Sequence, residues 1–127
     1  TIRMVQERVG INQLIDVWSH NVVFPKGWFR GLSELQTIGV SRYPSSAATP
    51  IHLNDLADIA AMRSLVRFSA AGIGLDDEHA EALGSSRFLK EIVLRRTEIT
   101  PRGEQLLKRG LSTRQVTVQE SLSQIEN

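Results

Sequence analysis

The feature that most constrains the fold of this chain is a strand-like run at residues 92–107 that leads directly into a helix-start signal. Apolar side chains run or alternate through residues 92–99, as they do in a β-strand. Thr100 can then cap a helix, and Pro101 suits the first helical turn because proline has no amide hydrogen to leave unpaired there. The sequence therefore predicts a strand followed immediately by a capped helix.

The composition is that of one soluble globular domain. A chain of 127 residues can enclose a hydrophobic core without a disulfide or a metal ion. Its 41% hydrophobic and 23% charged residues are ordinary values, and it has no run of about 18 uncharged apolar residues that could cross a membrane. The absence of cysteine excludes disulfides, thiolate catalysis and cysteine-ligated zinc. We expect one cytoplasmic domain; because the chain begins with Thr1, a removed leader would not be visible.

Charge is distributed unevenly along a chain whose formal net charge is only +1. Residues 55–81 contain six acids and two arginines, whereas residues 87–109 contain seven bases and three acids. Twelve of the fifteen basic residues are arginine, whose planar fork pairs well with phosphate and with base edges. The basic block is compatible with nucleic-acid binding.

Apolar spacing indicates a mainly helical organisation of the single domain, residues 1–127. We expect N-terminal helices in 1–40, a loop at 41–52, a winged-helix region at 53–110 and a C-terminal helix at 111–127. The first helix is predicted over 2–22 from five apolar residues at helical spacing, namely Ile11, Leu14, Ile15, Trp18 and Val22. A second, short helix is predicted over 31–39, a further one begins at the acids Asp76 to Glu78, and no internal repeat stands out.

Residues 53–72 allow two interpretations. In the first, a helix over 53–61 and a second helix form a helix-turn-helix. The second helix would present a small, polar, basic face to a major groove, made of Arg63, Ser64, Arg67 and Ser69. In the second, one continuous core helix runs through Met62, since no glycine or proline marks a bend.

Residues 84–99 are open to three interpretations. A β-hairpin would place Arg87 and Lys90 at its tip and Arg95 and Arg96 further along, against phosphates or the minor groove. The same cations could instead protect a solvated edge strand from pairing with another chain. Residues 76–96 could also form one amphipathic helix in which the arginines pair with glutamates.

The order of elements resembles the multiple-antibiotic-resistance regulator (MarR) family. In that family a Leu-x-x-Leu-Ala helix opens the DNA-binding motif, and a basic wing ends in Leu-Thr-x-x-Gly. The matching positions in this chain are Leu53, Leu56 and Ala57 for the helix and Ile99, Thr100 and Gly103 for the wing exit. The exit is also similar to that of LysR-type regulators, with residues 104–125 as the linker helix. The resemblance implies a winged helix that dimerises through its terminal helices and binds duplex DNA.

Catalytic and ligand-binding patterns are sparse. His20, His52 and His79 lack the paired spacing of helical metal ligands, so we expect no metal, no cofactor and no enzymatic activity. The aromatic residues Phe24, Trp28 and Phe29 surround Pro25 and Gly27 in a loop. They could cap the core, bury in a dimer or line an effector pocket.

We therefore predict a mainly α (α+β) winged helix-turn-helix domain with terminal dimerisation helices, acting as a dimeric transcriptional regulator on duplex DNA. The alternative is an α-helical protein-interaction or adaptor domain that binds no nucleic acid. Expected partners are duplex DNA, a second copy of the chain and a small-molecule effector bound by Phe24, Trp28 and Phe29. The predicted DNA-binding residues are Arg63, Ser64, Arg67, Arg87, Lys90, Arg95, Arg96 and Arg102.

Overall fold

The chain has an α/β fold in which strands and helices alternate. The structure, a computed structural model, describes residues 2–4, 16–20, 27, 29, 34–41 and 53–119. Its elements in chain order are β1 (Ile2–Met4), β2 (Asp16–His20), β3 (Thr37–Ser41), α1 (Leu53–Ala60), β4 (Arg67–Ala71), α2 (Asp77–Gly84), β5 (Glu91–Arg95), α3 (Pro101–Leu107) and β6 (Gln115–Gln119).

The described strands form one sheet in which spatial order equals chain order. β1 and β2 are antiparallel, and every other neighbouring pair is parallel. Parallel neighbours need a crossover connection, which α1, α2 and α3 supply for the pairs from β3 to β6. Each strand-helix unit therefore lies beside the unit that precedes it in the chain.

The last three strands repeat with a period of 24 residues. Arg67, Glu91 and Gln115 begin their strands and are register partners across β4, β5 and β6. The step from β3 to β4 is longer, since Thr37 pairs with Arg67. A fixed period with each unit beside the next is the arrangement of a solenoid. The expectation that the chain contains no repeat was wrong.

Apolar residues recur at equivalent positions and form the core between the sheet and the helices. In two successive units, one residue before the strand, two within it and one after it are buried. These residues are Leu65, Phe68, Ala70 and Leu75 in the first unit, and Leu89, Ile92, Leu94 and Ile99 in the next. The same spacing relates Leu35, Ile38 and Val40 in the β3 unit. These side chains share one cluster with helix residues such as Leu56 and Leu83. One face of the sheet is thereby covered.

The backbone after each strand also repeats. Gly72 follows β4 with φ 74°, and Arg96, 24 residues later, follows β5 with φ 56°. Gly72 donates its amide hydrogen to the carbonyl of Arg95, and Arg96 donates to the carbonyl of Gln119. The left-handed conformation thus lets each turn pair with the next unit.

Local capping explains where α2 and α3 begin. Asp76 is the N-cap of α2 and accepts hydrogen bonds from the amides of Glu78 and His79, as the acid-rich start predicts. Thr100 is the N-cap of α3, with proline in the first turn, which confirms the sequence expectation. The two starts are tied together, because Asp77 Oδ1 accepts the Thr100 amide at 2.9 Å.

The predicted winged helix-turn-helix is contradicted by the strand pairing. A wing is an antiparallel hairpin, but β5 pairs in parallel with β4 on one side and β6 on the other. Residues 84–99 therefore form neither a hairpin nor one helix. The proposed recognition helix is also absent, because residues 67–71 are strand β4.

The predicted terminal helices are likewise wrong where the structure describes them. Residues 2–4 and 16–20 are strands, the short helix expected over 31–39 gives way to β3, and residues 115–119 are strand β6. Short apolar runs fit both helical and strand periods, and pairing with neighbouring strands decides between them. The helices at α1 and α2 were correctly located.

Candidate binding surface

Among the described residues, one face of the sheet is open along β4 to β6; we call it the strand face and define it by alternate residues of these three strands. Its central row consists of the register partners Ser69, Val93 and Thr117, and the next register partner, Gly39 of β3, is buried. Ser69 and Val93 are half-buried and Thr117 is exposed, whereas the adjacent core residues Phe68 and Ile92 are fully buried. The helices α1, α2 and α3 contribute to the core on the opposite face.

Two further rows border the central one. The row at the amino ends contains Arg67, Glu91 and Gln115, and the row at the carboxyl ends contains Ala71, Arg95 and Gln119. Arg67 Nε lies 3.1 Å from Glu91 Oε1, an ion pair without hydrogen-bond geometry whose side chains are 42% and 43% exposed. The strand face is thus polar at its borders and has short, mostly uncharged side chains at its centre.

A cleft lies at the amino ends of β4, β5 and β6, and we call it the amino-end cleft. It has a volume of about 540 Å³. The turns before the three strands build it, and its lining residues are Arg63, Leu65, Val66, Arg87, Phe88, Lys90, Glu91, Leu111, Thr113 and Gln115. The 24-residue period explains this convergence, because Arg63, Arg87 and Leu111 occupy equivalent positions in three successive units.

Backbone pairing holds these turns in register below the cleft. Val66 donates its amide hydrogen to Gln36, Lys90 donates to Val66, and Gln115 donates to Lys90. Ser86 Oγ also accepts the amides of Phe88 and Leu89 at 3.1 and 3.0 Å. The cleft walls are therefore fixed by the same ladder that orders the strands.

Arg114 stabilises the region between the cleft and the helices. Arg114 is 5% exposed, and its guanidinium donates to the final carbonyls of two helices, Gly84 O in α2 at 3.3 Å and Leu107 O in α3 at 2.5 Å. It also donates to Leu89 O at 2.6 Å and to Ser86 O. Burial lowers the pKa of Arg114, and helix C-termini, which carry partial negative charge, favour a cation there.

The Asp76–His79 pair caps the start of α2. Partial burial by itself would raise the pKa of Asp76. Hydrogen bonds from the His79 side chain and from the amides of His79 and Glu78 outweigh this effect of burial, so the pKa of Asp76 is below its usual value. The Asp76 carboxylate is therefore a structural cap; no cluster of three or more metal-ligating residues occurs within the described ranges.

The predicted DNA-binding residues are spread over several faces. Arg63, Arg87 and Lys90 meet in the amino-end cleft, and Arg67 is paired on the strand face. Ser64 does not face a groove, because its hydroxyl donates to Leu35 O at 2.7 Å. Arg95 and Arg96 lie at the carboxyl end of β5, and Arg102 is exposed on α3. Whether any of them contacts DNA stays a prediction.

The predicted effector site is only partly described. Phe29 is fully buried in the core, which agrees with the core-cap interpretation of the aromatic loop. Phe24 and Trp28 lie outside the described residues. Nearby, buried Asp55 of α1 accepts the amide of Gly27 at 2.9 Å and so fixes the loop against the helix.

Sequence reasoning missed Val66, Phe88 and Leu111 in the cleft and Val93 and Thr117 on the strand face, and it placed Ser69 on a recognition helix, whereas Ser69 lies in strand β4. The signal that could have found them is the recurrence of Leu-x-x-apolar-x-apolar at residues 35, 65 and 89. Comparison with models of known protein families and with curated proteins gave no match. None of the helices in the described segments has the length and apolar character needed to cross a bilayer.

Proposed function

We propose that this chain is a repeat-built interaction domain that binds a polypeptide partner on its strand face. The observation that carries the proposal is the row Ser69, Val93 and Thr117, which three successive units present in register on one uncovered face. Parallel sheets usually have both faces covered, so a one-sided parallel sheet is characteristic of solenoids, which use such extended faces for binding.

The repeat unit supports a specific architecture. Leu89, Ile92, Leu94, Thr97 and Ile99 follow the order Leu-x-x-Leu-x-Leu-x-x-Asn-x-Leu of leucine-rich repeats, with Thr97 in place of Asn or Cys. The unit before it has the same apolar spacing at Leu65, Phe68, Ala70 and Leu75, with Ile73 at the position of Asn or Cys. A 24-residue period and one strand plus one helix per unit also fit that repeat class.

The size of the strand face indicates what kind of partner it suits. Three strands about 4.8 Å apart and about 16 Å long give a planar area of roughly 230 Å². A stable protein interface buries about 800 Å² on each partner, so the partner must also contact the borders of the sheet. The amino-end cleft adjoins the strand face through Glu91 and Gln115, which belong to both.

Selection from a displayed library of random 16-residue peptides tests the proposal. Enriched peptides are measured against wild type and two variants with the same charge change, Thr117→Lys on the strand face and Gln105→Lys on the exposed face of α3. We expect Thr117→Lys to weaken binding at least about tenfold, because a long cation in the central row obstructs the face, and Gln105→Lys to leave it unchanged.

Equal effects of the two variants, or a failure to enrich any peptide, would contradict the proposal. Random duplex DNA is titrated in parallel across a salt series. Five phosphate contacts would give a log-log slope of about −4 to −5. Such a slope without peptide binding would favour the nucleic-acid function instead. Homodimerisation, an effector and a cytoplasmic location stay predictions.

A further inference from the structure

We propose that the amino-end cleft binds an acidic segment of the polypeptide partner, with one apolar side chain inserted between the cations. The proposal rests on the proposed function, because it concerns the same partner. It names the chemistry of the segment that continues from the strand face into the cleft.

The charge of the cleft is unbalanced. Arg63, Arg87 and Lys90 are exposed, and no acid of the described residues forms an ion pair with them. The one acid among the lining residues is Glu91, whose carboxylate is already engaged by Arg67. Three available cations around one cavity attract carboxylates, and arginine can bind them with two parallel hydrogen bonds.

The cleft also contains an exposed apolar surface. Val66 is a large hydrophobic side chain and is nevertheless 42% exposed. Phe88 and Leu111 are half-buried beside it, and Leu65 closes the base. Free phosphate would leave this apolar surface in water, whereas a peptide with an apolar residue would cover it.

The position of the cleft favours a polypeptide over a separate small anion. Glu91 and Gln115 line the cleft, and they are also the first strand-face residues of β5 and β6. An extended chain that lies on the strand face can therefore continue into the cleft without crossing a covered region. Such a segment would supply part of the area that the strand face alone lacks.

The probe is a fluorescein-labelled nonapeptide with Asp and Glu around a central Leu-Trp pair, compared with a peptide in which Asn and Gln replace the acids. At low salt we expect the acidic peptide to bind at least about tenfold more tightly, and added salt to weaken that binding. In ¹⁵N-labelled protein the amide signals of Val66, Phe88 and Leu111 should shift on titration.

A matched pair of double variants locates the site. Arg63→Glu/Arg87→Glu should weaken binding of the acidic peptide at least about tenfold. Arg102→Glu/Arg109→Glu makes the same charge change on α3 and just after it, and should have little effect. Three results would overturn the proposal. Both peptides could bind with equal affinity, or both double variants could have equal effects. Tripolyphosphate or duplex DNA at equal charge concentration could also displace the acidic peptide completely.

The two proposals fail in different ways. In one outcome, Thr117→Lys weakens binding of the library-selected peptides, but Arg63→Glu/Arg87→Glu weakens binding of neither these peptides nor the acidic peptide. The strand-face function then holds and the cleft inference is wrong. If the acidic peptide responds to the cleft variants and no selected peptide responds to Thr117→Lys, the cleft binds its ligand and the strand-face function is wrong.

Discussion

Replacing Arg114 with Met is expected to lower the free energy of unfolding by about 3 kcal/mol, because it removes a buried guanidinium that donates hydrogen bonds to four carbonyls. These are the last carbonyls of α2 and α3 and the carbonyls of Ser86 and Leu89. Met has a similar length and fills much of the same space, so the loss reports on hydrogen bonds and charge rather than on a cavity. Urea denaturation measures it.

Arg109→Met is the matched control. Arg109 is exposed and lies just beyond Lys108, the C-cap of α3, so its loss should change the free energy of unfolding by less than about 0.5 kcal/mol. Arg114→Lys should be intermediate, because an ammonium keeps the charge but cannot reach four carbonyls with a planar fork. If Arg114→Met were as mild as the control, the buried position of the guanidinium would be wrong.

Gly84→Ala is expected to destabilise the protein by about 2 to 3 kcal/mol, the cost of overpacking a well-filled contact. Gly84 ends α2, and a Cβ there would overlap the carbonyl oxygen of Leu106 in α3. Helix propensity alone predicts the opposite sign, since Ala is about 1 kcal/mol more favourable than Gly within a helix. The sign of the change therefore reports on the close approach of α2 and α3.

Glu81→Ala on the same helix serves as the comparison. Its side chain is exposed, so the change in the free energy of unfolding should be small. A Gly84→Ala protein that is more stable than wild type in the same urea titration would show that the two helices are further apart than the structure has them.

Local capping signals located the starts of α2 and α3, whereas apolar spacing alone predicted helices over residues 16–20, 37–39 and 115–119, which are strands. Thr100, Pro101 and the acids from Asp76 onward define helix starts through interactions within a few residues, and both helices begin where those signals place them. The strand at Ile92 was also expected from its alternation. What the local pattern could not provide was the partner of that strand, because pairing with residues 24 positions away in either direction is a tertiary property.

The candidate sites were missed for a related reason. Phe68, Ile92 and Val116 are equivalent in the structure but share only their apolar character, and the longer step from Thr37 to Arg67 interrupts the period. Arg63 and Arg87 were correctly singled out as cations, yet they were assigned to two different motifs. Their proximity follows only once the repeat is known.

The repeat register is the central claim, and nuclear Overhauser contacts between strands test it most directly. In ¹³C,¹⁵N-labelled protein we expect contacts between amide and α protons that link Ser69 with Val93, and Val93 with Thr117, in the parallel pattern. Contacts that instead pair residues 85–90 with 92–99 in the antiparallel pattern of a hairpin would contradict the account.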